Sequence, residues 1–450
     1  MANRTVYPYG TDGSLPSSIG LVNDLKTGGV DKALTAEMGK EIGEEIDGVA
    51  KSVFLAASER DGLGISDEDG NVIVEFVGGH IRTKNFDSSD IEGGGGYNSI
   101  PSYFESEISD TEDKIDAILS TGAATIVMPI VTDNHIDWTA RDRERVVETL
   151  SCIHKIDKDK GLDAVVNLGD IPTMWGRNGV ADTEIFSRLK WYIDKYAGVH
   201  KKVLFANGNH DGESSDFFNN DKWYPLVKFN KGIVVRDGNS PYFYYDFADL
   251  KVRLIFMSLP CSTDETRTTE GITTYYPSEK TVHTFWGAGQ EQLNWLANDA
   301  LKTGDGWKVI LLSHTPVCYN YPTHDGIYDL MGRVEDQADI EGIFNAYHNH
   351  TTYSSEDVSC DFTDYTSTKM LLAIAGHVHA DMIIDSGQKP TGNFNTNGLP
   401  CKIVVISCQM MNRTDKTVNQ DQYDYMVYNS KTDQFNFIRF GNGSDRAVTI

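Results

Sequence analysis

The sequence predicts an α/β chain built in layers, and three observations lead there. From Ala123 onward, short apolar runs alternate with stretches whose apolar residues recur at helical spacing. Two later runs, Tyr242 to Phe247 and Val252 to Met257, lie close enough to pair as an antiparallel hairpin. Five polar segments each follow directly on an apolar run, at the carboxyl ends of strands where open α/β sheets place their ligands.

The elements follow in order. Leu34, Met38, Ile42 and Ile46 form one apolar stripe on an acidic helix within Asp31 to Val49. Asp69-Gly70, between Gly62 to Asp67 and Asn71 to Phe76, is a hairpin turn. Residues 1–92 thus read as a small helix-plus-β-hairpin module for assembly or attachment. Gly93 to Gly96 marks a flexible break, and 93–122 a linker with one further helix. In that helix Phe104, Ile108, Thr111, Ile115 and Ile118 step by four and three. Such a seam either packs on its own domain or pairs two copies of the chain. The main domain, 123–450, opens with a strand to Val131 and continues with helices around Arg141 to Ile156, Asp182 to Ala197 and Gln290 to Lys302. Its further strands end near Leu168, Ala206, Met257, Leu312, Ala375 and Ile406.

Composition bounds the function. With 450 residues, 40% hydrophobic and 24% charged, the chain supports more than one globular domain. The net charge of −26 argues against nucleic acid or an anionic membrane as the main partner. About half of that charge lies in residues 1–122, where 9 Lys and Arg face 23 Asp and Glu. No cationic leader precedes an apolar segment and no run reaches membrane-spanning length, so the expectation is a soluble protein without a signal peptide. Six cysteines without a CxxC pair read as buried thiols rather than a zinc ribbon or a disulfide framework.

The five polar segments carry the chemistry: Asp133-Asn134-His135, Gly169-Asp170, Gly208-Asn209-His210-Asp211, Ser313-His314 and Gly376-His377-Val378-His379. They supply carboxylate, imidazole and amide oxygen, the donors of hard or borderline divalent cations. Asp133 and His135, at i and i+2 on a strand end, leave on the same side and can chelate one ion. Asp170 can bridge two, since a carboxylate has two oxygens to share. A pair of ions would polarise a water to hydroxide and clamp phosphoryl oxygens.

In order and content these segments resemble the calcineurin-like metallophosphoesterase family over about residues 123–440, and Gln292 to Leu296 resembles a helix of its purple-acid-phosphatase-like members. The resemblance implies a layered β-sandwich flanked by helices. One metal would be held by Asp133, His135, Asp170 and His379, the other by Asp170, Asn209, His314 and His377. It also implies a catalytic His210 that stabilises the transition state or protonates the leaving oxygen, with Asp211 either holding that ring or serving the turn. The first segment has no tyrosine, so an iron-tyrosinate centre is not implied, and Met257-Ser-Leu lacks an Asp often found at that strand end. The cofactors expected are two divalent ions from among manganese, iron, zinc, nickel and magnesium, and the substrate a phosphomonoester or phosphodiester.

Leu21 to Lys40, with Asp67 to Phe76 and Asn85-Phe86, is similar to a segment and β-repeat of phage and prophage tail-appendage proteins from gut Bacteroidetes. That resemblance implies a virion-attached, homo-oligomeric enzyme with other tail proteins as partners and host surface material as target. The rival reading is a structural or receptor-binding virion protein on an inactive scaffold. Of the remaining histidines, His154, His200, His348 and His350 read as structural. His283, His324 and Trp175 are each either pocket-lining or packed.

Overall fold

The computed structural model describes residues 100–136, 138–171, 182–212, 226–227, 232–259, 287–318, 334, 336–390, 394–409 and 414–450, and the backbone of six strands at 54–58, 62–66, 72–77, 80–83, 266–269 and 272–275. The acidic helix, the glycine break, Trp175, His283 and His324 lie outside the described residues. The chain divides into two units, Met1–Gly94 and Gly95–Ile450. In the first, four strands form an antiparallel sheet in sequence order, and Gly62–Ser66 pairs with Val72–Val77 around Asp69-Gly70.

The second unit is a sandwich of two sheets. The six-stranded sheet is assembled from β1 (Thr125–Val131), β2 (Val165–Asn167) and β3 (Val203–Phe205). The other sheet takes β4 (Val235–Arg236), β5 (Phe243–Phe247), β6 (Val252–Met257), β7 (Lys308–Ser313), β8 (Lys369–Ala375), β9 (Met382–Ile384) and β10 (Lys402–Val405). The chain then returns to the first sheet with β11 (Gln422–Asn429), β12 (Gln434–Gly441) and β13 (Arg446–Thr449). The strand orders are β13-β12-β11-β1-β2-β3 and β9-β10-β8-β7-β6-β5-β4. In the first sheet β1, β2 and β3 run parallel to one edge and β11, β12 and β13 join antiparallel; in the second β6, β7, β8 and β10 run parallel, with β9 on one side and β5 and β4 on the other pairing antiparallel. All the motif-bearing strands therefore point their carboxyl ends one way within their sheet.

Alternation along the strands decides which layer each side chain joins. Ile126, Met128 and Ile130 of β1 pack between the sheets with Leu254, Phe256, Ile310, Leu312, Leu372, Ile374 and Met426. Val127 and Val131 face outward onto α1 (Glu105–Leu119), α2 (Ala140–Lys160) and α3 (Asp182–Ala197). On the opposite side Ile255, Val309, Leu311 and Ile403 meet α4 (Gly289–Trp295, prolonged by a π turn over Leu296–Ala300) and α5 (Gln337–Asn349). The result is helix, sheet, sheet, helix, the layered α/β sandwich that the sequence implies. Thr139 and Asp142 cap α2 reciprocally, and Gly161, at φ 70°, ends it in a left-handed turn.

The seam on α1 is settled by this packing. Phe104, Ile108, Thr111 and Ile115 are buried, and the apolar three lie in the core against β12 and its neighbours. That face is covered within the chain, so it does not pair two copies. The sequence separates 93–122 as a linker because periodicity alone does not say which partner covers a stripe.

Candidate metal centre

The loops after β1 and β2 stay hydrogen-bonded beyond the strands themselves. The Asp133 amide donates to Gly169 O and that of His135 to Asp170 O, both at 3.0 Å, and the Ile136 amide to Ile171 O at 2.9 Å. Across the sandwich Gly376 N donates to His314 O at 2.8 Å. These turns need unusual backbone. Asp133, His135, Asp170, His377 and His379 all have positive φ, between 43° and 67°. Left-handed backbone is uncommon outside glycine and costs of order 1–3 kcal/mol where it persists. Five of the seven proposed ligands share it. The i, i+2 strand geometry expected for Asp133 and His135 is thus replaced by a turn, because β1 ends at Val131.

Asp133 and Asp170 anchor two adjoining clusters of donors. Asp133 Oδ1 lies 3.1 Å from His379 Nε2, 3.7 Å from His135 Nε2 and 4.0 Å from His314 Nε2. The His135 and His379 Nε2 atoms stand 3.0 Å apart. Asp170 Oδ2 is 3.1 Å from His314 Nε2, 3.8 Å from His135 Nε2 and 3.9 Å from His210 Nε2. His314 Nε2 also meets Asn209 Oδ1 at 3.1 Å, while its Nδ1 is fixed by Leu168 O at 2.9 Å. His377 joins Asp170 and His314, its ring centroid 5.1 Å from that of His314. All seven proposed ligands and His210 are therefore brought together. His379, one-third exposed at its side chain, and the partly buried His377 lie on the open side of a centre whose Asp133, His135, Asp170, Asn209, His210 and His314 are buried.

Does this set fit divalent ions? Asp133 Oδ1 is fully buried and accepts no hydrogen bond. Its partner Oδ2 takes the Thr132 hydroxyl at 2.7 Å and the His377 amide at 2.9 Å. A buried carboxylate oxygen left bare costs free energy unless a cation meets it. Imidazole nitrogens converge on it instead, two of them facing each other. Electrostatics say the same. Burial opposes charge on Asp133 and Asp170, yet the surrounding imidazoles, His314 foremost, hold both carboxyls below their usual range. Burial likewise opposes the His314 proton, but Asp170 and Asp133 push its pKa up to about 9. Burial, then repulsion from His314, drives His377 down to about 3. The donor set fits divalent cations, and Asp170 is common to two of the donor clusters that would hold them.

At two residues the structure adds to the sequence reading. Asp211 does not hold the His210 ring. Its carboxylate accepts from the main-chain amides of Gly208 at 2.7 Å, Asp170 at 3.0 Å and Ile171 at 2.8 Å. It serves the turn, tying the third motif to the second. Burial and the nearby Asp170 charge push its pKa up to about 7. The second is Cys408, read as a plain buried thiol. Its Sγ lies in one cluster with His135 and His379, all ligand atoms within 4.8 Å, and donates to Asp133 O at 3.1 Å. Its position just past β10 was the available signal.

Behind the centre, Asn134 bonds Gln409 and accepts from Asn167 at 2.9 Å, and Gln409 donates to Thr149 and Asp421 at 3.1 Å each. On the other flank Arg439 binds Asp381 at 2.6 Å and Asp424 at 2.8 Å; Asp381 accepts from Ser407 N, whose hydroxyl meets His379 O at 3.2 Å. Buried networks of this kind hold strained ligand turns in place. The histidines read as structural are engaged by main chain. His154, His200 and His350 meet the carbonyls of Val199, Lys202 and Thr368, and His348 accepts from the Met370 amide.

No protein-family model matches the chain, and no curated protein sequence does. Among solved structures it is similar to a dimetal phosphatase from Danio rerio, at 13% identity and a TM-score of 0.46, over 72% of this chain and 98% of that one. It is similar to PhoD at 10% identity and a TM-score of 0.38, over 72% of this chain and 68% of that one. A third is the calcineurin-like phosphoesterase YfkN from Bacillus subtilis, at 14% identity and a TM-score of 0.31, over 73% of this chain and 89% of that one. At these identities and scores the likenesses decide nothing about the chemistry, which rests on the side chains. Among the described residues no helix is long and apolar enough to cross a membrane.

Proposed function

We propose that the chain is a two-metal phosphoesterase. The observation that carries this is the convergence of two buried carboxylates and five imidazoles, from five strand ends of two sheets, in two adjoining clusters around Asp133 and Asp170, the first holding a carboxylate oxygen that no hydrogen bond satisfies. Asp133, His135, Asp170 and His379 would hold one ion, and Asp170, Asn209, His314 and His377 the other. When bound, such a pair supplies Lewis acidity toward phosphoryl oxygens and an activated water. The donors admit manganese, iron, zinc, nickel or magnesium.

The chain's own residues do the rest. His210 stands with its Nε2 3.9 Å from Asp170 Oδ2 and its ring edge-on to His135, so it can pass a proton to the departing alcohol oxygen at the mouth of the centre. Its main-chain amide donates to Asp170 Oδ1 at 2.7 Å, which locks the turn that aims it. Asp211 keeps that turn by accepting three amides. The preference between diesters and monoesters is assigned to the inserts 213–238, 261–285 and 318–368.

The N-terminal resemblance supports a finer reading, in which the enzyme is an oligomer carried on a phage tail and acts on host surface phosphoesters. Digestion of host capsule or wall material should then release new phosphate ends, and no release refutes that target.

The deciving experiment for the chemistry is hydrolysis of bis-p-nitrophenyl phosphate and p-nitrophenyl phosphate by metal-free protein reloaded with manganese or zinc. Turnover that needs metal, vanishes in Asp170→Asn and falls about 100-fold or more in His210→Ala is expected. A folded protein that binds metal but turns over neither ester refutes the proposal.

A further inference from the structure

We propose that Cys408 is a sulfur ligand of the ion held by Asp133, His135 and His379, so that the two metal positions differ in kind. This rests on the two-metal reading above and extends it to a residue which that reading leaves out.

The five cysteines among the described residues do not share one environment. Cys152 packs in the apolar layer under α2, and Cys318, Cys360 and Cys401 in the layer under α4 and α5. Cys408 belongs to neither layer. It follows β10, on a strand end neighbouring the one that delivers His377 and His379, and is 1% exposed. Its sulfur and the ring nitrogens of His135 and His379 all lie within 4.8 Å of one another, the spread of donors around a single cation. Its Sγ donates to the main-chain carbonyl of Asp133 at 3.1 Å, which places the sulfur against the residue whose Oδ1 is buried and bare. That oxygen lies 3.1 Å from His379 Nε2 and 3.7 Å from His135 Nε2, so it meets the same two imidazoles as the sulfur and is the second feature pointing to a cation there.

The donors at this position are then a carboxylate oxygen, two imidazole nitrogens and a thiolate, with Asp170 on the side of the second ion. A thiolate turns a set that suits magnesium or manganese into one that favours zinc, cobalt or ferrous iron. The neighbouring position, with Asp170, Asn209, His314 and His377, has only oxygen and nitrogen. On coordination the thiol proton passes to solvent and the hydrogen bond to Asp133 O is given up; no oxidant or reductant is required.

Cobalt loading of the metal-free full chain tests this without reference to turnover. Wild-type protein should show visible ligand-field bands together with a near-ultraviolet sulfur-to-cobalt charge-transfer band. Cys408→Ser should keep the ligand-field bands, lose the charge-transfer band and weaken the preference for zinc over manganese about tenfold or more. Cys401→Ser should keep both bands. Ligand-field bands in wild type without charge transfer overturn the role of Cys408 while leaving the metal centre standing. No visible bands at saturating cobalt overturn the metal centre and this inference with it. The wild-type spectrum decides alone, so a Cys408 variant that does not fold leaves the test intact.

Discussion

Gly376→Ala tests whether the close approach of strand ends builds the centre. A Cβ at Gly376 would collide with Thr132 Oγ1 and lie 2.6 Å from Asp133 Oδ2, both atoms at the heart of one ligand turn. To regain ordinary contact the carboxylate must retreat by about 1 Å. It then weakens the bonds from Thr132 Oγ1 at 2.7 Å and His377 N at 2.9 Å, hydrogen bonds to a charged group. Overpacking of this kind costs about 1–3 kcal/mol, and a weakened charged hydrogen bond about 1.5–3 kcal/mol. A net loss of about 3 kcal/mol lowers the melting midpoint of a unit the size of Gly95–Ile450 by roughly 4 °C, at about 2 cal/mol/K per residue. A displaced ligand should weaken metal binding about 10–100-fold, and turnover about 100-fold. Gly387→Ala is the control. Unlike Gly376 it has a positive φ, 77°, and it meets nothing within 4 Å, so Gly387→Ala adds backbone strain without touching the centre. Differential scanning calorimetry of the metal-free proteins and competition titration of manganese against a chelating dye measure both quantities. Gly376→Ala with wild-type midpoint and metal affinity refutes the reasoning.

Two further outcomes follow from the charges around the centre. Arg439→Met leaves the buried Asp424 with Arg446 as its remaining ion-pair partner, and the loss should be about 3 kcal/mol by chemical denaturation, with weaker metal binding through the Asp381–Ser407 link to His379. Arg439→Met with Asp424→Leu should recover much of the stability, and no recovery shows that the pair is not what the single variant breaks. Metal affinity should also climb with pH, by about tenfold per unit for one displaced proton, and level off above about 9, the value to which Asp170 and Asp133 push His314. The sign follows from that raised pKa. In the metal-free protein His314 contributes stability that is complete below its ordinary value near 6.5 and is lost as pH rises through about 9. Titration calorimetry in buffers of different ionisation enthalpy reads the released proton, and a pH-independent affinity between 6 and 9 contradicts it.

The elements that position the centre are local, and the sequence by itself determined them. β1, β2, β3, β7 and β8 are short apolar runs that end in polar motifs, and the helices between them show unbroken 3.6-residue periodicity; α3 has the bounds expected. The identity of the donors is likewise local, because a metal selects atom types. What only the tertiary structure decided depends on partners far along the chain. β11 pairs with β1 across about 300 residues and is buried at all eight positions, so it shows neither alternation nor a long apolar run. The α1 seam is ambiguous in sequence because any apolar surface can cover it, and here the chain's own β12 and its neighbours do. Asp211 serves the turn because Gly208, Asp170 and Ile171 bring their amides to one point, a meeting of two motifs that neither contains. Cys408 joins the donors because β10 lies beside β8 in the sheet, and strand order is fixed by packing between layers rather than by any residue near position 408.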